Sequence, residues 1–288
     1  MRRRALVVTA LLLPAALAAQ TPPAREVPND TSNGTTPNGA APNGAAPDGV
    51  MFAFQRFADL FAGRLVAAFE AIPAVRYDYR PTPPQQTVGY IAQHLEDANY
   101  SLCERFGALK HPATAKDSLA DTVKARWPKD TLVARLRASV RFCDAALDQV
   151  GHLQSPAVAT NLLAFETDLA EHYSQIATYM RLLGLVPPSA APPTPRTAIE
   201  LPAAELSRYV GVYQLAPGLE LDVAARDGAL FVTSTTSGTP VRVWPERRDA
   251  FFVKGVDAQV TFTRDPGGAV SGLVLHQYGR DRVAAKVR

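Results

Sequence analysis

The sequence predicts a multidomain α + β protein, in which an antiparallel four-helix bundle precedes a small antiparallel up-and-down β-barrel-like domain. Apolar residues recur at helical spacing from Met51 onward, and the period changes from 3.6 to 2 after Ile199. A Pro-rich stretch, VPPSAAPPTPRTAI, lies between the two patterns. We therefore expect the bundle at 50–186, a linker at 187–199 and the β domain at 200–288.

Four segments of the first region have the apolar spacing and the terminal signals of helices of roughly 20 residues. Asp48 and Thr87 are expected to cap the first and the second helix, an acid is expected to cap the third, and Ser155-Pro156 opens the fourth. Loops of unequal length between such helices are typical of an antiparallel bundle. The expected ranges are 51–72, 87–106, 130–150 and 155–184.

The second region consists of short alternating or β-branched runs, such as LELDVAA and AQVTFTR. Turn sequences separate them, among them Arg226-Asp227-Gly228 and Tyr278-Gly279-Arg280-Asp281. Seven or eight strands in so short a region favour an up-and-down barrel or a strongly curled sheet.

The N-terminus has the pattern of a secretory signal peptide at 1–20. A basic MRRR precedes a short apolar run, and Ala16-Leu17-Ala18 fits a cleavage site. The apolar run of about 14 residues is shorter than the roughly 20 that span a bilayer, so no stable transmembrane segment is expected after cleavage. Retention of the peptide as an anchor stays open. Residues 21–49, rich in Pro, Asn, Gly and Ala, are expected to form a disordered linker in a periplasmic or extracellular protein.

Charge and cysteine content limit the partners and the compartment. The formal net charge is +3, and residues 1–20 hold three Arg and no acid, so acidic and basic residues balance in the remainder. Nucleic-acid binding is therefore not expected. Cys103 and Cys143 are a candidate disulfide in an exported protein, and two small buried apolar side chains are the alternative.

Asp168 and His172 lie four residues apart on the fourth predicted helix, and therefore share one face. His94, on the second helix, would add another imidazole if the two helices pack together. Two imidazoles and a carboxylate can hold a divalent metal and leave coordination positions open. A surface Asp–His ion pair and a core histidine are the alternatives.

The helical region resembles the DinB superfamily of four-helix bundles. The resemblance lies in TVGYIAQH on the second helix and in HYSQIATYMRLLGLVPP at the end of the fourth. It implies a divalent metal, held by one His of the second helix and a His-x-x-x-His pair of the fourth. His94 and His172 match two of these positions, and Asp168 stands at the third. The implied ion is zinc, nickel, iron or manganese, unless the exchange marks a lineage that has lost its metal.

What the resemblance implies for activity is broad, since characterised members include metal-dependent thiol transferases and a thiol-dependent isomerase. We expect a metal-dependent hydrolase or transferase for a small molecule, with no catalytic residue assigned. The alternative is a non-enzymatic ligand-binding or interaction module with a vestigial metal site. Tyr90, Gln175 and Tyr179 are expected to line the pocket, although helix packing is the alternative for Gln175 and Tyr179 and is favoured for Tyr179. The sequence is compatible with a homodimer and does not decide the oligomeric state.

The β region resembles the C-terminal domain of unknown function of secreted serine-β-lactamase-like peptidases. The matching features are R-Y-V-G-x-Y at its start, the Q-V-T-F-x-R-D run and G-L-V-L-H-Q-x-G-R near its end. The Ser-x-x-Lys of those peptidases is absent here, so peptidase activity is not implied. The aromatic strands predict a packed interior, with an apolar ligand pocket as the alternative. His276 is a lone histidine in this pattern.

Overall fold

The computed structural model describes residues 48–111, 114–153 and 155–288. The predicted signal peptide and nearly all of the predicted N-terminal linker lie outside these ranges. Within them, no helix has both the length and the apolar character that a bilayer crossing requires. The helices are α1 (Gly49–Ala71), α2 (Val88–Phe106), α3 (Asp121–Lys124), α4 (Lys129–Leu147), α5 (Pro156–Leu182) and α6 (Ala203–Leu206).

Side-chain caps start three of the long helices, as predicted. Asp48 accepts hydrogen bonds from two backbone N–H groups of the first turn of α1, at 3.0 and 2.8 Å. Thr87 accepts from the backbone N–H of Tyr90 at 3.1 Å, and Ser155 starts α5 in the same way at 3.3 Å. Each cap satisfies a backbone donor that has no partner within the helix.

The prediction of an acidic cap on α4 is wrong. The helix begins at Lys129, and the preceding Pro128 makes no side-chain cap. Asp130 lies inside the first turn, where its charge favours the positive end of the helix dipole. The short helix α3 was not predicted, because four residues are too few to show a helical spacing of apolar side chains.

The four long helices form the predicted bundle. Helix α1 packs against α4 and α5, and α2 packs against the same two helices. The core is made of buried aliphatic and aromatic side chains on all four, including Leu65, Leu95, Leu136, Leu162 and Leu169.

A disulfide links α2 to α4. It joins Cys103 to Cys143, whose Cα atoms lie 5.3 Å apart. Both residues are buried, and 40 residues separate them in sequence. A cross-link over that span stabilises the bundle chiefly by restricting the unfolded chain.

The C-terminal region is a closed eight-stranded antiparallel barrel, in which each strand pairs with the next along the chain and β1 closes on β8. Asp227-Gly228 and Tyr278-Gly279 take positive φ at two of the predicted hairpin turns. The strands are β1 (Gly211–Ala216), β2 (Leu219–Arg226), β3 (Ala229–Ser234), β4 (Pro240–Arg247), β5 (Ala250–Phe252), β6 (Ala258–Arg264), β7 (Val270–Gln277) and β8 (Arg280–Lys286).

Side chains fill the barrel interior. Tyr213 and Phe262 contact each other there in an edge-to-face arrangement, at 5.6 Å between ring centroids. Tyr209, which follows α6, enters the same cluster and is fully buried. The interior is therefore the packed core that the sequence favoured over a ligand pocket.

The segment between the domains, predicted as a linker, is anchored by hydrogen bonds at both ends. Its first part forms a short 3₁₀ turn, in which the Ser189 N–H donates to the Tyr173 hydroxyl at 2.7 Å. At its end the Ile199 N–H donates to the Pro245 carbonyl at 2.8 Å. These bonds fix a Pro-rich backbone that has few donors of its own.

Two arginines of β8 bind acidic side chains of the bundle. Arg280 lies 2.8 Å from Asp59 of α1 and 2.8 Å from Asp144 of α4. Arg282 also pairs with Asp59, whose side chain is only 4% exposed. Burial raises the pKa of Asp59, and the two arginines oppose that rise. The barrel thus supplies the countercharge of a buried carboxylate in the helical domain.

We predict that Asp59→Ala lowers the free energy of unfolding by about 3 kcal/mol, because it leaves two partly buried guanidinium groups without their carboxylate. Urea denaturation measures the loss. The matched control is Glu70→Ala, also on α1, which removes an exposed pair with Arg137 and should cost less than about 1 kcal/mol. Equal losses in the two variants would contradict a structural role for the interdomain pair.

Replacing both Cys103 and Cys143 by Ala should lower the free energy of unfolding by about 2–4 kcal/mol, because the unfolded chain regains the freedom of a 40-residue loop. The wild-type protein should lose the same amount on reduction, whereas the double variant should not respond to the reductant. A wild-type stability that is unchanged by reduction would refute the stabilising role.

Candidate metal centre

Helices α2 and α5 pack antiparallel and bring the three predicted ligands together. Near the start of α2, the Tyr179 hydroxyl of α5 donates to the Gln86 carbonyl at 3.1 Å. Two turns further along α2, His94 lies opposite Asp168 and His172. The i,i+4 spacing of the acid and the imidazole on α5 makes them share the face that α2 covers.

The carboxylate of Asp168 lies between the two imidazoles. Its Oδ1 is 3.7 Å from Nε2 of His94 and 3.4 Å from Nδ1 of His172. The ring centroids of the two histidines are 4.8 Å apart. One ligand atom from each residue can be chosen so that all three lie within 4.8 Å of one another.

A backbone contact orients the His172 ring. Its Nδ1 lies 2.8 Å from the carbonyl oxygen of Asp168. A carbonyl only accepts, so Nδ1 carries the proton and donates it. Nε2 of the neutral ring then keeps its lone pair, and such a second-sphere bond is typical of metal-ligating histidines.

Asp168 has an unsatisfied oxygen. Its Oδ2 is buried and has no hydrogen-bond partner within the described part of the chain. A buried carboxylate oxygen without a partner costs free energy, and a cation beside it removes that cost. Two nitrogen donors and one oxygen donor form a set that first-row divalent metals accept. The residues therefore fit a metal ion.

The surroundings of the site are acidic. The pKa of His94 lies above its usual value, chiefly through its interaction with the Asp168 carboxylate, while burial opposes the rise. The charges of Asp97 and Asp121 act in the same direction as Asp168. A positive charge at this position, whether a proton or a metal ion, is thus favoured.

Lys124 of α3 neutralises part of this acidity. Its side chain is 3% exposed, and its ammonium pairs with Asp97 and lies 3.2 Å from Asp121. This pairing was not predicted from the sequence, because α3 lies in a segment without apolar periodicity. The only available signal was Asp97, three residues after His94 on the same helix.

The site is open to solvent on the α2 side. The side chain of His94 is 37% exposed, against 20% for Asp168 and 14% for His172. Tyr90 lies one helical turn before His94 and forms part of the wall of a cleft of about 950 Å³. His94, Asp168 and His172 do not line this cleft, so access to the cluster from solvent is through the exposed side chain of His94.

Gln175 and Tyr179 are joined by hydrogen bonds to each other and to the start of α2. The Gln175 amide donates to the Tyr179 hydroxyl at 3.2 Å. Tyr179 is 1% exposed and donates in turn to the backbone of Gln86. Burial between α5 and the start of α2 uses both the ring and the hydroxyl of Tyr179, which is the helix packing that the sequence favoured for it over pocket lining.

Comparisons with known proteins match the two regions separately. Residues 59–178 match the DinB superfamily, and residues 195–286 match a domain of unknown function, DUF3471. A comparison with curated proteins finds no match.

Two solved structures resemble part of the chain. The crystal structure of SurE with D-Leu shares 26% identity over 42% of this chain and 28% of its own, with a TM-score of 0.28. The crystal structure of SurE shares 22% identity over 42% of this chain and 27% of its own, also with a TM-score of 0.28. The chain thus spans less than a third of either SurE chain.

Proposed function

We propose, from a DinB superfamily domain at 59–178 joined to a DUF3471 domain at 195–286, that this is an exported divalent-metal-binding protein. Its metal ligands are His94, Asp168 and His172, and it acts as a hydrolase or transferase on a small molecule. The barrel is an accessory domain. The observation that carries the proposal is the convergence of the three ligand atoms within 4.8 Å beside the unpartnered Oδ2 of Asp168.

Each residue of the site has a separate role. Asp168 and His172 would hold the metal from α5, and the exposed His94 would hold it from α2. When bound, a divalent metal supplies Lewis acidity, which lowers the pKa of a coordinated water or thiol. The Asp168 carbonyl keeps the His172 proton on Nδ1, so that Nε2 remains a donor of electrons. The open α2 side admits the substrate.

Export favours hydrolysis over thiol transfer, since an oxidising exterior seldom contains abundant small thiols. The Cys103–Cys143 disulfide supports export, because such bonds persist outside the reducing cytosol. The basic and apolar N-terminal sequence supports it independently.

The alternative function is a non-enzymatic binding or interaction module with a vestigial site. One contact favours it: the Asp168 carboxylate already lies 3.4 and 3.7 Å from the two imidazoles, close enough to balance a protonated histidine without a metal. The two functions differ in whether the protein binds metal in solution.

Metal content distinguishes them. The full chain, purified without chelator, should carry about one equivalent of a divalent metal by elemental analysis. His172→Ala should lose it and keep the helical circular dichroism, whereas His152→Ala, at an exposed histidine before α5, should retain it. If the wild-type protein holds no metal, and added zinc or cobalt raises no melting temperature, the binding-module function replaces the metal function.

Substitutions at Asp168 should follow the donor chemistry of the new side chain. Asp168→His retains a ligand and the backbone carbonyl that orients His172, so metal binding should persist. Asp168→Ala removes the ligand and should lower the affinity at least about 10-fold. Titration with cobalt, followed by its visible absorption, measures both. Equal affinity in the wild type and Asp168→Ala would remove Asp168 from the ligand set.

A further inference from the structure

A second cluster of reactive side chains lies on the outer wall of the barrel, on β6 and β7. Val260 and Phe262 of β6 point into the barrel core, so Thr261 between them faces outward. His276 of β7 pairs with Gln259 in the register of the two strands. Its side chain reaches diagonally to Thr261, on the same face of the sheet.

Hydrogen bonds connect three side chains in a line. Thr261 Oγ1 lies 3.0 Å from Nε2 of His276. Nδ1 of the same ring lies 2.6 Å from Oδ1 of Asp281, at the start of β8. A carboxylate only accepts, so Nδ1 donates to Asp281; in the neutral ring Nε2 then accepts, and the Thr261 hydroxyl donates to it.

These three side chains form part of the wall of a groove of about 410 Å³, which is lined by Thr261, His276 and Asp281 among others. Gln259 also lines the groove, next to His276 across the strand pair. One N–H of its amide donates to Asp257 at 2.7 Å, which leaves the second N–H of the group for a ligand. The site is accessible, since the His276 side chain is 31% exposed.

We propose that this groove is an ester-cleaving site, independent of the metal centre, which takes small activated carboxylic esters. Thr261 is the nucleophile, His276 is the general base and Asp281 is a positioning residue that fixes the tautomer of the ring. The order hydroxyl, Nε2, Nδ1, carboxylate is the arrangement that activates an alcohol for acyl transfer. The second N–H of the Gln259 amide is the donor that stabilises the carbonyl oxygen of the bound ester.

The reaction balances with water as the only co-reactant. Thr261 Oγ bonds to the acyl carbon while its proton passes to Nε2 of His276. The bond between the acyl carbon and the leaving oxygen then breaks, and the alcohol leaves with that proton. Water repeats the sequence on the acylated Thr261 and releases the carboxylic acid, which restores the hydroxyl and the neutral imidazole.

The test uses the full chain and two probes, p-nitrophenyl acetate and an alkyl fluorophosphonate. We expect p-nitrophenol release, and a covalent fluorophosphonate adduct that peptide mass spectrometry places on Thr261. Thr261→Val, which keeps the β-branched shape, should abolish the adduct, and His276→Gln should lower its rate of formation about 100-fold or more. Thr263→Val, on the same strand and face, is the matched control and should react like the wild type.

The positioning role of Asp281 has its own readout. Asp281→Asn keeps the side-chain volume and removes the charge that fixes the tautomer, so kcat for p-nitrophenyl acetate should fall while KM stays unchanged. If p-nitrophenyl acetate cleavage falls in both Thr261→Val and His172→Ala, the two sites are coupled and their independence is refuted. If it falls in Thr261→Val alone, the groove acts independently of the metal site. The proposal is overturned if the wild type forms no adduct on Thr261, or if Thr261→Val and Thr263→Val, both folded by circular dichroism, react equally.

Discussion

The buried carboxylate of Asp59 constrains how the two domains meet. An acid with a 4% exposed side chain needs a countercharge, and both of its cationic partners, Arg280 and Arg282, come from the barrel. Arg280 also binds Asp144, so one guanidinium connects α1, α4 and β8. The helical domain therefore depends on the barrel to balance the charge in its own interior, which makes the two domains a single structural unit.

This docking leaves the candidate metal site uncovered. The barrel binds α1 and α4 through these acids, whereas α2 and α5 hold His94 and the Asp168–His172 pair. The disulfide between α2 and α4 then links the helix that carries His94 to the helix that carries Asp144. The contacts that dock the barrel and those that form the site thus lie on different helices of the bundle, and His94 keeps an exposed side chain.

Local patterns in the sequence predicted most of the fold. Helical spacing, side-chain caps and Asp-Gly or Tyr-Gly turns act over a few residues, so they located the long helices and the hairpins to within about four residues. The spacing of Asp168 and His172 also predicted their shared face. The pairing of Lys124 with Asp97, the docking of Arg280 on Asp59 and the line from Thr261 to Asp281 were missed, because each joins residues whose proximity depends on tertiary packing. His94 was a candidate from its place on the second helix, and the family resemblance strengthened it, since helical periodicity does not say which helices are neighbours.

The aspartate at position 168 changes the chemistry that the site can supply. Two neutral imidazoles and a carboxylate carry one negative charge, so a divalent ion held there keeps a net charge of +1, while three imidazoles would leave it at +2. The oxygen donor also shifts the preference toward harder ions. At the same time Asp168 would act twice on one centre, because its side chain is a proposed ligand and its backbone carbonyl fixes the tautomer of His172. Only the first of these roles depends on the side chain, so a histidine at position 168 would leave the orientation of the neighbouring imidazole undisturbed.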